Sequence, residues 1–541
     1  YCENCRKRWE EEVGGEMPYI VDWKDPAWRK LAEKRNEWMG KFAQFATDVI
    51  KGLRPDVSVE HQYGNSLRYW RFGNNELISA ASDYIGTDLY GGIEEQSFAC
   101  KAWYNLTQNR PFQYMTSRCY PTLAEHTTTK SYDLLRLCVM LTYAHHGAPL
   151  LIDAIDPEGT FDERVYKLMG QINREAEQYE PYVTRGEMAY DVALYYDLNG
   201  KMNVELNGAS VEDLENSEFY EPVKKVGFPH YYSTFGAANA LRKAHIPFGI
   251  INNWKLDLLN GPKVVVISDD PGMKKREIDA VRKYVKDGGS LYLSGHSAPE
   301  FVEEIFGVKW EGVTEENFTY LAPTKENGIM LGEFTRKYPL PMSEQATRVS
   351  GKPEGEILAT LTLPWSIPTP QLVAPMEYYG RPIIKDDRVK KFGSIHSNPP
   401  GISTDIPGML YGEYGKGRVI WSALPIEKAI TPQHSKIFAH IIKVLMGDNE
   451  FVFGADAADS VECILFDAPE YKQKLISLVN LQEDFHTMPA VNSKVWIRME
   501  KKPSSIVKLP KETPVEFTWE EGKASFTVEF MKQFEMFAIN E

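Results

Sequence analysis

The sequence has no apolar run long enough to cross a bilayer, and this excludes a membrane-spanning helix. It has no basic stretch long enough to track a phosphate backbone. With a formal net charge of −15, nucleic acid is excluded as a partner class. Cysteine is scarce. Six in 541 residues do not make a disulfide framework, and that usage fits a reducing compartment. No signal-peptide pattern opens the chain, so the expected location is bacterial cytoplasm. A G-x-S-x-G elbow is missing. The lysine of Gly415-Lys416-Gly417 lacks phosphate-loop spacing.

The apolar and charged shares, 43% and 25%, are those of a globular protein, and the length predicts two to four domains. Aromatics reach 12%; they stack on sugar C–H faces as well as filling cores. Residues 111–159 organise the chain. PFQYMTSRCY, TTTKSYDLLRLCVMLTYAHHGA and PLLIDAIDPEG read as strand, helix, strand. The first strand ends in Thr116, Ser117 and Arg118, the second in Asp153, Asp156 and Gly159. Polar groups at the exit ends of buried strands are where (β/α) barrels keep their sites.

Upstream, Asp25-Pro26 starts a long amphipathic helix that stops at Gly52. VSVEHQY (57–63) predicts a strand with Ser58, Glu60 and Gln62 facing inward and Val57 and Val59 outward. DYIGTDLYGG (83–92) is the next strand, with Asp88 and Tyr90 at its exit. Glu94 and Glu95 follow at the head of a helix over 95–109, where the dipole also favours acids. Helices over 129–146 and 161–179 complete the alternation, and His145-His146 sit at a helix end. Four strands are half of the eight a closed barrel needs. The expectation is the C-terminal half of a barrel, over 1–185, with its first half ahead of Tyr1. Cys2 and Cys5 are spaced C-x-x-C, which is half of a zinc site or a free dithiol.

Over 186–450, strands at 191–197, 247–252, 258–270 and 290–297 alternate with helices. This predicts a doubly wound parallel sheet, with a polar insertion at 198–230. A meander is expected over 320–400 with a turn at Tyr379-Gly380-Arg381-Pro382, and a hairpin over 411–427. Short alternating segments over 451–541 predict a small β-sandwich.

The opening YCENCRKRW resembles the C-Y-C-x-x-C-x-x-x-[FW] segment that follows the fourth barrel strand in family 42 beta-galactosidases and in a related group that includes family 151 alpha-L-fucosidases. RPFQYMTSRCY, the stretch from Thr127 to Gly147, and PLLIDAIDPEGTFDERVY look like the last two strands of that group. The middle segment resembles the class I amidotransferase-like fold used for trimerisation in family 42. Its turn Gly295-His296-Ser297 holds no cysteine, so a non-catalytic role is expected, the alternative being chemistry at His296 or Ser297.

The resemblance implies an exo-acting glycosidase, alpha-L-fucosidase-like, with no cofactor and a trimeric or dimeric assembly. The alternatives are a family 42 beta-galactosidase or a non-catalytic carbohydrate-binding or assembly protein. It also places one catalytic carboxylate ahead of Tyr1. The general acid/base candidates in this sequence are then Glu60, Glu94 and Asp88, in that order. Hydroxyl-binding candidates are His61, Tyr90, Arg118 and Asp153; Cys2 and Cys5 are the metal candidates.

Overall fold

A computed structural model describes the chain from Cys2 to Glu541 apart from residues 63–66, 68–69, 71–72, 74, 122, 212–228, 327, 366–398 and 484–486. The expected turn at Tyr379–Pro382 and most of the polar insertion lie outside the described residues. No described helix is long and apolar enough to cross a membrane.

The first part is built from α1 (Glu3–Glu12), α2 (Pro26–Leu53), α3 (Glu76–Ala81), β1 (Gly86–Asp88), α4 (Ile93–Leu106), β2 (Gln113–Ser117), α5 (Tyr132–Ala144), β3 (Ala148–Ile152), α6 (Glu163–Ala176) and a short α7 (Glu180–Val183). Local chemistry sets the starts. Asp25 accepts from Ala27 N with Pro26 in the first turn of α2, and Ser131 and Asp162 cap α5 and α6 in the same way. β1, β2 and β3 form one parallel sheet, with Asp88, Met115 and Leu150 in a row across it.

The segment expected to be a further strand, 57–63, makes no ladder in its described part. It lies beside Ser82 and Asp83, which lead into β1. The Asp83 carboxylate accepts Val59 N at 2.6 Å and Asp83 N reaches Val59 O at 2.8 Å. A side chain thus supplies an acceptor that a ladder would take from backbone.

β4 (Glu187–Ala189) pairs with the C-terminal β17 (Val461–Ala468). The chain therefore touches the last sheet before it enters the middle one. There, β5 (Val192–Tyr196), α8 (Pro229–Lys243), β6 (Phe248–Asn252), β7 (Val264–Ile267), α9 (Lys275–Asp287), β8 (Ser290–Ser294) and α10 (Pro299–Phe306) alternate. A two-stranded ribbon of β9 (Lys309–Val313) and β12 (Thr347–Ser350) stands apart. β10 (Thr319–Pro323), β11 (Leu340–Met342), β13 (Glu356–Pro364), β14 (Pro400–Tyr414) and β15 (Gly417–Ser422) complete a nine-stranded sheet, ordered β11-β10-β13-β14-β15-β8-β7-β5-β6. Its β15-β8-β7-β5-β6 half is parallel; the other half is antiparallel. α11 (Pro432–Met446) packs back on it.

Residues beyond 451 form a four-stranded sheet and a six-stranded sheet that includes β4. A small apolar core, with Val495, Phe526 and Phe537, lies between them. A larger core is continuous from Trp9 through Trp103 and Trp421 to Ala538.

Candidate active site

The exit ends of β1, β2 and β3 carry Asp88, then Arg118, then Asp153, because parallel strands in register deliver their C-terminal residues to one rim. Glu60 reaches the same sheet from the extended segment. Its carboxyl lies against Gly86, where a Cβ would come within 2.9 Å of Glu60 Cδ. Only glycine leaves that room. Glu60 Oε1 is buried with no hydrogen-bond partner among the described residues. Burial is the main reason its pKa rises to about 7; the charge on Asp88 adds to the rise and the Gly86 N–H opposes it.

Asp88 is held differently. Its Oδ1 accepts from the Tyr90 hydroxyl at 3.0 Å, and its Oδ2 accepts from the Gln62 side-chain amide. Burial first, and then the Asp88 charge, push the Tyr90 phenol upward, so it stays a donor at neutral pH. Tyr90 is also an exposed aromatic surface at the rim. Glu60, Gln62, Asp88 and Tyr90 form one constellation.

Glu94 and Glu95 part company. Glu94 turns away to an ion pair with the buried Arg242 on α8. Its carboxylate thus joins α4 to α8 and makes no bond to Asp88 or Tyr90 among the described residues. Glu95 instead accepts from the Tyr231 hydroxyl at 2.9 Å. It lines a cavity of about 40 Å³ with Asp88, Tyr90, Gly91 and Tyr231. A larger cavity of about 410 Å³ sits at the entry end, around Lys51, Asp83, Tyr84 and Gln113, and Gln113 of its wall lies with Glu60 against Gly86.

His61 leaves the site as well. Its Nε2 is 2.8 Å from Thr47 Oγ1 on α2. That hydroxyl donates to Ala81 O, so the imidazole is the donor to it. Burial lowers the His61 pKa. The parity that turns Glu60 inward turns its neighbour outward. Arg118 and Asp153 form a buried pair, Nε to Oδ1 at 2.6 Å, while Asp153 Oδ2 has no partner among the described residues. They bind each other beside the rim.

Cys2 and Cys5 lie with their sulfurs 3.6 Å apart at the head of α1. No group of three or more metal-binding side chains occurs among the described residues. The two sulfurs are two of the four ligands a structural zinc takes.

In the middle sheet, His296 Nδ1 is 2.8 Å from Asp269 Oδ1, and this bond raises its pKa. Ser297 is buried, donating to Ile267 O and accepting from Asp270 N. Its hydroxyl is consumed by structure.

No family model matches the chain, and no curated protein sequence does. Solved structures do. One is alpha-L-fucosidase isoenzyme 2 from Paenibacillus thiaminolyticus: TM-score 0.70 at 19% identity, with 100% of this chain and 75% of that chain covered. The chain has a glycoside-hydrolase fold. A beta-galactosidase from Bacillus circulans sp. alkalophilus gives TM-score 0.66 at 13% identity over 100% of this chain and 77% of its own. A catalytic mutant of a GH42 beta-galactosidase from G. stearothermophilus gives 0.65 at 12%, covering 98% and 72%. At these identities the likeness is one of fold.

The sequence signalled Glu60 and Asp88 through strand parity. Glu95 and Tyr231 had no motif to announce them. The glycine pair before α4 was the one available hint, since a carboxylate can fold back over Gly91.

Proposed function

We propose that the protein acts as a glycosidase on a terminal sugar, in the manner of an alpha-L-fucosidase, with Glu60 as the general acid. The carrying observation is the contrast between two carboxyl groups beside β1, Asp88 at its exit end and Glu60 against Gly86. Glu60 is half-buried beside Gly86 and keeps its proton to about pH 7, whereas Asp88 accepts two hydrogen bonds. Pairs of carboxyls in such different surroundings divide into acid and charged partner. A protonated Glu60 would donate to the glycosidic oxygen as the bond to the anomeric carbon breaks. Asp88 would stabilise the positive charge that develops there.

The architecture that goes with this reading is half of a (β/α) barrel, an amidotransferase-like trimerisation unit and a β-sandwich. Supporting it are the parallel β1–β3 sheet with its helices, the parallel half of the nine-stranded sheet, and the two terminal sheets. The substrate is fucose-like first and galactose-like second.

The test is hydrolysis of nitrophenyl fucosides and galactosides by wild type and Glu60→Gln. Loss of a general acid costs about 10²–10⁴-fold, most on substrates with poor leaving groups. A loss below about tenfold on activated and natural substrates alike removes Glu60 from the role.

A further inference from the structure

We propose that Asp197 and Asp270, on two loops of the middle sheet, keep a proton on the pair at neutral pH, and that this proton latches the loop after β5 onto residues 19–23. Its loss in alkaline solution opens the latch.

β5 lies between β6 and β7 in the parallel half of the sheet, and the chain goes from it first to one neighbour and then to the other. The carboxyl ends of strands at such a reversal form a crevice. Asp197 follows β5 there, and Asp270 follows β7. Two glycines bring them together. A Cβ on Gly272 would lie 2.9 Å from Gly200 Cα and 3.0 Å from Asp197 Oδ2, and one on Gly200 would lie 2.8 Å from Asp270 Oδ1. Each acid uses one oxygen within its own loop. Asp197 Oδ1 accepts Asn199 N at 2.8 Å, and Asp270 Oδ1 accepts Gly272 N at 2.9 Å. The other oxygen of each is buried with no hydrogen-bond partner among the described residues, and so is the Tyr195 hydroxyl.

The neighbouring groups do not let both acids ionise. On α8, His230 is neutral: its Nε2 accepts from Asp197 N at 2.9 Å and its Nδ1 donates to Ser268 O at 2.7 Å. On α9, Glu277 is a third buried acid, while Arg276 is mostly exposed and donates to Asn253 O at 2.6 Å. Asp269, beside Asp270, is paired with His296. Lys201 is buried near Asp197 and Glu76 of α3, with Arg35 of α2 also near; burial brings its pKa down to about 8. It therefore loses its own charge as pH rises instead of compensating. Two close, dry carboxyls resist joint ionisation. Burial first, and then the Asp270 charge, push Asp197 well above the carboxyl range. Burial first, with Glu277 and Asp269 adding, brings Asp270 to about 7.

The loop beyond Asp197 joins the first part of the chain to the middle sheet. Val21 N donates to Ala209 O at 2.9 Å, Gly208 N to Val21 O at 2.8 Å and Val211 N to Tyr19 O at 2.9 Å. Trp23 N donates to Asn207 Oδ1 at 3.0 Å. Repulsion that lifts this loop breaks those bonds together. A proton held more tightly by the folded state stabilises fully below the ordinary carboxyl range, and its contribution is lost as pH rises through about 7.

Hydrogen exchange of the full chain, read segment by segment from about pH 6 to about pH 9 and corrected for the intrinsic rate, tests this. Wild type should lose protection in residues 19–23 and 199–211 by about tenfold per pH unit above about 7, the linkage of one proton, with β17 and β18 unchanged. Asp197→Asn combined with Asp270→Asn, neutral and nearly isosteric, should stay protected throughout. Protection independent of pH in wild type overturns the proposal, as does the same alkaline loss in the double variant. Should the double variant not fold, wild type decides alone: loss confined to the two segments supports the latch, and loss spread over the whole chain overturns it. Protection restored at about pH 9 by calcium or magnesium also overturns it, since a cation would then fill the pair.

Discussion

At the scale of single residues, the proton on Glu60 is the quantity to follow. Its folded pKa is raised from an ordinary carboxyl value to about 7 by burial and then by Asp88. If Glu60 is the acid, kcat/KM falls as pH rises through about 7. Asp88→Asn removes the neighbouring charge, lowers the Glu60 pKa and moves that limb to lower pH; a limb that stays put disconnects the two groups. The same proton bears on stability. The folded protein holds it more tightly than the unfolded chain does. Its contribution is therefore complete below the ordinary carboxyl range and is lost as pH rises through about 7. Melting temperature should thus fall less over that window in Glu60→Gln than in wild type. The inward turn of Glu60 was legible, because parity along an extended segment survives even when the ladder does not. The choice between Glu94 and Glu95 was not. Both sit in the first turn of α4, and what separates them is Arg242 and Tyr231, 148 and 136 residues further along.

At the scale of elements, α4 is the hinge of the arrangement. Gly92 gives its N-terminus no side-chain cap. The Glu483 carboxylate, from the C-terminal part of the chain, accepts Ile93 N instead. Further along the helix, Lys101 meets Glu462 of β17 at 3.2 Å with both side chains almost fully buried. Ser97 donates to the same carboxylate. Burial by itself pushes Glu462 upward; the nearby positive charge of Lys101, foremost among several contributions, leaves it net lowered. A buried pair of this kind adds little net stability, but breaking it is expensive. Lys101→Met should cost about 3–5 kcal/mol in denaturant titration, and adding Glu462→Leu should recover most of that. A double variant as unstable as the single one would mean that shape, not charge, joins α4 to β17. The helices themselves were legible from their caps and from the spacing of their apolar residues. The lack of a ladder in the described part of 57–63 was not, because the Asp83 side chain takes the place of a ladder partner, and no alternation pattern encodes that.

At the scale of the whole molecule, the βα alternation made the order of layers readable. The return of residues 187–189 to the last sheet was hidden, since a three-residue strand has too little pattern to announce its partner. Met39, Phe42, Phe45, Val49 and Leu53 repeat at helical spacing along α2, and Phe42 and Phe45 are each 64% exposed. Across the sheet, beyond β3, Ile155, Phe161 and Tyr166 are also exposed. An apolar stripe along several helical turns is more than a monomer's surface normally leaves uncovered. We therefore expect this chain to self-associate through α2. Phe42→Glu combined with Phe45→Glu should lower the mass measured by light scattering and leave the thermal melt nearly unchanged, because neither ring is part of the core. A mass that does not move would free α2 of that role and would shift the assembly expectation to the middle sheet, where the resemblance to a trimerisation unit lies.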